Sequence, residues 1–512
     1  MLTSRLLAST PLFVLSAALP PSQGGTDATK TSNWLPTWSS TVAPLRVDWP
    51  TFGNGPSHTG YFPDVVASAP LVPEWTATLG GDIQQVAVGN GRVFATPLQY
   101  FGQAWLASLD ATTGATDWNY PFSTCYSINP PTYDRGHVFV QRGDHASDTQ
   151  LWNFSASTGV PHWVSPHGAQ WERYMAPAVA EGKVWVDGGG YGGMYGFQET
   201  DGAQLFFDGA LPQYDGWTPT YAAGSLYSWT EGVFRQHDKV TGAHLWSLDF
   251  GWDWSGWTMG RTIAIADGRA YVVGNPGLHA IDLSARTAAW NVAGDFNGTP
   301  SVANGVVYAI AGGFVKAYDA WDGHYLGVYV GEAGLLDQPV VTDDAVVFSS
   351  LAHTYIYDRA TYQLRQTLPY GGHLSLTSGR LYLATSAGEV RTYVVAPATQ
   401  ARPNLIADWQ TWDTSVPNRI SCRLSISNVG TSASAPCHVK LALSSDTRLE
   451  AGDRIVHPWD FPAVAVGETL STTIDLTWYP SMSGKFLLVS LDSEASVAET
   501  NENNLFPSCA IP

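Results

Sequence analysis

The register Asp-x-x-x-Gly-x-x-x-Trp, first met from Asp110 to Trp118, constrains this chain more than any other feature because it returns along most of its length. The unit that carries it, Gly91 to Trp118, opens on a turn glycine and passes through two apolar, β-prone runs, Val93 to Thr96 and Trp105 to Leu109. It then turns again before the aromatic. In that second turn Asp110 can accept bonds from nearby backbone N–H groups, and Gly114 can take the positive φ that a Cβ would oppose. The Gly/aromatic pair returns as Gly159/Trp163, Gly202/Phe206 and Gly242/Trp246. Asp282/Trp290 has Arg286 in the glycine's place, Asp319/Gly323 has Gly327 in the aromatic's place, and Asp358 keeps only the acid. Opening turns recur at Gly91, Gly136, Gly182, Gly224, Gly268, Gly305, Asp344 and Gly379, a mean step of about 41 residues, which is the period of four-stranded propeller blades.

Counting units gives an all-β chain whose main domain is an eight-bladed β-propeller. The last unit, Gly379 to Val395, stops after three strands, while a lone strand, Glu74 to Leu79, precedes the first unit with Trp75 in the aromatic's place. If that N-terminal strand supplies the outer edge of the last blade, the ring closes and no sheet edge is left between first and last blades.

Charge excludes some partners. Asp and Glu number 44 against 25 Lys and Arg, a formal net charge of −19, which argues against nucleic acid or an anionic membrane as partner. The N-terminus has Arg5, an apolar run from Leu6 to Ala18 and the small pair Ser16 and Ala18, the form of a secretory signal peptide over 1–18. Residues 19–47, rich in Ser, Thr, Pro and Gly, read as a flexible leader. No later stretch has the length of a membrane span. A secreted or cell-envelope monomer is therefore expected.

The segment Asp48 to Pro63, DWPTFGNGPSHTGYFP, together with the repeat, resembles the PQQ-like propellers of bacteria, and the resemblance covers 48–395. It implies the fold more than an activity. PQQ-dependent alcohol dehydrogenases share this repeat and place two adjacent cysteines under the quinone, with a calcium ion beside it. Here no two of the 4 cysteines are adjacent and no C-x-x-C-H haem motif occurs. Neither a PQQ-dependent dehydrogenase nor any cofactor or metal is expected.

Residues 396–402 break the repeat as a linker, and from 403 to 512 period-2 alternation with intervening turns reads as an immunoglobulin-like β-sandwich. Its motifs ISNVG, LSSDTRLEAGD and VAETNENNL closely resemble the CARDB family, bacterial modules associated with cell adhesion. Asp446, Glu450 and Asp453 have a spacing that suits a hard cation, or equally a polar loop whose acids cap their own turns. Cys422 and Cys437 flank the NVGTSAS turn almost symmetrically, so a disulfide between them is expected. Pairing of either with Cys509, or thiols, are the alternatives.

In a propeller the connections between blades, and the hairpins between the second and third strands of each blade, emerge on one face, and function is expected there. In this chain those loops hold rings beside acids: Tyr100, Trp171, Tyr174, Tyr214, Asp215, Trp217, Trp252, Asp253, Trp254 and Trp257. Flat rings beside carboxylates suit sugars, whose C–H faces stack while their hydroxyls find polar partners. The opposing reading is that many of these rings wedge between blades as core. The expected function is a non-catalytic binding or adhesion protein whose loop face takes a glycan or a protein. Its rivals are a lyase-like polysaccharide enzyme, with charge and base from Arg173, Tyr174, Arg261 and His373, and a periplasmic assembly scaffold.

Overall fold

The computed structural model describes residues 39–41, 48–64, 66, 70–98, 101–143, 148–169, 175–254, 257–274, 277–395, 403–413, 419–445, 449, 453–477, 484–492 and 508–510. The signal-peptide and linker expectations therefore lie outside the described residues, as do Asp446 and Glu450.

Among the described residues, eight antiparallel sheets follow one another between 71 and 395, seven of four strands and one, the second, with Ser127–Ile128 as a fifth. Blade 1 has its strands at Ala87–Gly89, Arg92–Ala95, Gly102–Asp110 and Thr116–Cys125. Blades 2 to 7 span 132–167, 178–208, 220–249, 264–292, 297–330 and 340–368. Blade 8 takes His373–Thr377, Arg380–Ala384 and Glu389–Val395 from the end of the repeat and Leu71–Thr78 from its start, with Leu71 opposite Val395 and Thr78 opposite Glu389. Innermost strands touch their neighbours in order, and the last touches the first. The N-terminal strand thus closes the ring.

The repeated aromatic and glycine are the two halves of one joint. Trp75 lies on Gly114 so closely that a Cβ there would come within 2.5 Å of the indole, and Trp118 lies on Gly159 in the same way, at 2.6 Å. Trp163 covers Gly202, Phe206 covers Gly242, and Trp290 covers Gly323. Each aromatic belongs to one blade and each glycine to the next. Indole N–H groups of Trp75, Trp118, Trp163 and Trp290 donate to the carbonyls of Ala111, Ala156, Glu199 and Ala320, one residue past the turn acid's position, at 2.9 to 3.1 Å. The degenerate units keep the joint by other means. The Arg286 guanidinium stands 5.9 Å over the Trp246 ring. At the sixth joint the partners are exchanged: Gly327 takes the aromatic's position and Tyr362 the glycine's, the ring filling the space over Gly327 from a backbone φ of 59°.

Two further devices fix the axis. Polar side chains in or just before the inner strands reach neighbouring carbonyls, as in Thr218 to Ala176, Thr262 to Thr218 and Ser375 to Val86. The segment Trp49 to Asp64 runs along the free edges of those strands. It accepts backbone bonds from Tyr133, Tyr221, Ile265, Val302 and Val341 through the carbonyls of Pro50, Pro56, Ser57, Thr59 and Gly60. Trp49, Phe52, His58 and Phe62 in it are buried. It fills the axis toward the turns that join first and second strands, leaving the opposite face for the loops described below.

The sandwich has one sheet of Ser39–Thr41, Thr469–Thr477, Arg419–Asn428 and Leu405–Asp413, and a second of Arg454–Phe461, Cys437–Ser444, Phe486–Ser490 and Ser508–Ala510. Leader residues Ser39–Thr41 thus lie on the sandwich, opposite Thr469 to Ser471. The propeller touches the second sheet where Trp321 meets Phe486 edge-on at 4.9 Å, with the Arg269 guanidinium 3.8 Å over the Trp321 ring. The expected Cys422 to Cys437 disulfide is absent. After Asn428 the chain crosses to the opposite sheet instead of folding back as a hairpin, and the Cys422 thiol donates to the Ile474 carbonyl at 3.8 Å. Burial pushes the Cys422 thiol up to about 12, with Asp475 adding to the shift.

Candidate functional site

The loop from Gly251 to Gly260 joins blade 4 to blade 5 and begins on a capped turn, where Asp249 accepts from the Gly251 N–H at 2.8 Å. Phe250 and Asp253 donate backbone bonds to the blade 4 hairpin at Gly232 and Glu231, at 3.0 and 3.1 Å. On its far side the loop is bridged to the preceding connection: Asp215 donates to Trp257, Met259 to Asp215 and Gly260 to Gly216, at 2.8 to 2.9 Å. Backbone bonds therefore hold it at both ends.

Alternation does the rest. Trp252 and Trp254 point one way and Asp253 the other, as two-residue periodicity requires of an extended segment. Asp253 is buried and meets Arg261 at 2.7 Å, while Trp252 and Trp254 are 68% and 45% exposed, parallel within 3°, with centroids 6.4 Å apart. Trp257, 60% exposed, stands across Trp254 at 87° and 4.9 Å. Tyr214 supports Trp254 from below at 6.1 Å. Burial holds the Tyr214 phenol above its ordinary value, with Glu231 and Asp253 adding to the effect, so it stays neutral. Burial also lowers Arg261 against the pull of the Asp253 carboxylate.

The expected residues thus divide. Trp252, Trp254 and Trp257 form one exposed cluster. Tyr214, Asp215 and Asp253 are buried beneath or beside it, and Trp217, at 1% exposure, is core, its indole donating to the Tyr214 carbonyl at 3.1 Å. Tyr100, Trp171 and Tyr174 lie outside the described residues, with Arg173. Two exposed rings on the same face were not in the expected set: Phe101, edge-on to Tyr126 at 4.7 Å, and Tyr191, 84% exposed at the tip of the blade 3 hairpin. For Tyr191 the sequence did hold a signal, an aromatic set in the glycine run GGGYGG.

The groups that suggested enzyme chemistry are dispersed. Arg261 leads into blade 5 and is tied to Asp253. His373 opens blade 8 and contacts Asp337 through Nδ1. Ser228, His237 and Asp208 do stand in the contact order of a serine hydrolase relay, with Ser228 Oγ 2.9 Å from His237 Nε2 and His237 Nδ1 3.3 Å from Asp208. Ser228 is wholly buried between blades, so no substrate carbonyl can approach its oxygen, and the relay acts as a polar joint. Among the described residues no group of three or more His, Cys, Asp or Glu could hold a metal ion, and no helix is long and apolar enough to cross a membrane.

Comparison with known proteins agrees with this architecture. The PQQ_2 family profile, described as outer membrane protein assembly factor BamB, matches residues 52–206 and 230–394, and the CARDB profile matches 402–505. Among solved structures, BamB from Moraxella catarrhalis is 17% identical with a TM-score of 0.54 over 64% of this chain and 100% of its own. A europium-containing methanol dehydrogenase is 12% identical, TM-score 0.56, over 68% and 98%. The quinohemoprotein alcohol dehydrogenase from Comamonas testosteroni is 15% identical, TM-score 0.55, over 69% and 81%. At these identities the likeness is one of fold. No curated protein matches the chain.

Proposed function

Because the chain belongs to the PQQ_2 family of propeller proteins and carries a C-terminal CARDB domain, we propose that it is an exported, non-catalytic binding protein of the bacterial envelope or exterior. Its propeller recognises a glycan or protein ligand through Trp252, Trp254 and Trp257, and the CARDB module attaches it to a surface or partner. One observation carries the reading: three indoles are held in water on a loop whose carboxylate is turned inward to an arginine. Exposed rings lower solubility and are retained where they meet a ligand. A glycan stacks on such rings without needing a charge.

In an assembly role of the kind named for the family profile, this loop face would take a protein in place of a glycan. The test compares Trp252→Ala, Trp254→Ala and Trp257→Ala with Trp217→Ala, by melting temperature and by binding to a glycan array. The three loop variants should keep the parent melting temperature and lose binding, whereas Trp217→Ala should cost about 3–5 kcal/mol of stability. Loop variants that melt early and still bind in the folded fraction would return these rings to the core.

A further inference from the structure

The aromatic surface does not end at the Trp loop. Tyr191 stands at the tip of the 188–193 hairpin of blade 3, and that hairpin is pressed into its neighbours by its glycines. A Cβ at Gly189 would strike the Gly192 carbonyl, one at Gly192 the Pro212 carbonyl, and one at Gly193 the Phe207 ring. Gly189 also donates to the Gly168 carbonyl at 2.6 Å. The 209–217 connection against which Gly192 lies is the one bonded to Trp257 and Met259, and its Tyr214 underlies Trp254. Tyr191 and the three tryptophans are therefore presented by two loops, each locked to the 209–217 connection between them.

We infer that these loops form one extended platform for a neutral polysaccharide chain, with Tyr191 stacking a sugar several units from the one held by Trp252 and Trp254. The inference rests on the binding role of the Trp loop proposed above. Trp252 and Trp254 hold their planes within 3° of each other at 6.4 Å, and Tyr191 adds a further exposed ring, so several flat surfaces are offered together, which suits a ligand of repeated flat units. A monosaccharide would cover part of that surface only.

Charge selects the neutral chain. Among the described residues the cations beside the platform are already engaged, Arg235 with Glu231 at 2.5 Å and Arg261 with Asp253 at 2.7 Å. Uronates or sulfates would meet a chain of net charge −19 with those guanidinium groups committed.

The test uses the full chain, Tyr191→Ala and Trp252→Ala against arrayed neutral oligosaccharides graded from disaccharide to hexasaccharide, beside uronate and sulfated chains of the same lengths. Neutral chains should bind, with affinity rising about tenfold from disaccharide to hexasaccharide as a further ring is reached. Tyr191→Ala should hold the disaccharide affinity, lose the rise and keep its melting temperature. Affinity independent of length, a full rise in Tyr191→Ala, or preference for the acidic chains would overturn the extended platform and leave the Trp252 site standing. Binding that survives Trp252→Ala would overturn both. Retention of a polypeptide and of no arrayed glycan would assign the face to a protein and overturn the polysaccharide inference.

Discussion

At the joint between blades 6 and 7 the repeat's two partners have exchanged places, and that exchange makes the inter-blade contact testable in isolation. Tyr362 occupies the glycine position at φ 59°, stacks on Tyr329 at 4.8 Å and fills the volume over Gly327. Removing the ring in Tyr362→Gly should lose about 2–4 kcal/mol, less than a fully buried aromatic because Tyr362 is half-buried. Release of a left-handed tyrosine returns about 1 kcal/mol, for a net loss of about 1–3 kcal/mol. Gly327→Trp alone drives an indole into Tyr362 and should cost about 1–3 kcal/mol through overpacking. The double variant restores the arrangement of Trp118 on Gly159 and should lie within about 1 kcal/mol of the parent, a favourable coupling of about 1 kcal/mol or more. Urea unfolding followed by circular dichroism reads all four forms. Losses that simply add would refute the reasoning, since they would mean that ring and glycine do not share one space.

Three other outcomes follow from the same structure. Deleting residues up to Leu79 should uncover the Glu389–Val395 edge and give an aggregating protein, and a monomeric deletion with unchanged melting temperature would contradict ring closure by that strand. Burial opposes charge on His373, but the Asp337 carboxylate outweighs it and holds its pKa above the ordinary 6.5. The pair therefore stabilises fully below that value and progressively less as pH rises through the raised one, so melting temperature should fall over that window and Asp337→Asn should remove the slope. Cys422, buried and pushed up to about 12, should resist iodoacetamide at pH 8 in the folded protein and react once urea unfolds it; rapid alkylation of the native form would mean that the sandwich core is open there.

The blades were legible in the sequence because their signal is local: a turn acid, a glycine with positive φ and an aromatic four residues on place, within nine residues, the glycine half of one joint and the aromatic half of the next. The exchange at Gly327 and Tyr362 reads in sequence as decay of the motif, and only the neighbouring blade shows it to be compensation. Trp217 and Trp252 look alike in sequence, each in an aromatic, glycine-bearing loop. What separates them is which loop packs over which, a matter of contacts some 40 residues apart such as Asp215 with Trp257. Cys422 and Cys437 failed for a related reason, since a symmetric turn does not reveal whether the chain pairs back or crosses to the facing sheet.

The central claim is that Trp252, Trp254 and Trp257 are the contact surface, and oxidative footprinting tests it most directly. Hydroxyl radicals applied to the full chain, with modification read by peptide mass spectrometry, should label these three rings and Tyr191 far faster than buried Trp217 and Trp229. Adding a bound glycan or partner should protect the three loop tryptophans and leave labelling of Trp321, on the opposite face, unchanged. Equal labelling of Trp252, Trp254 and Trp257 with and without saturating ligand would contradict the account.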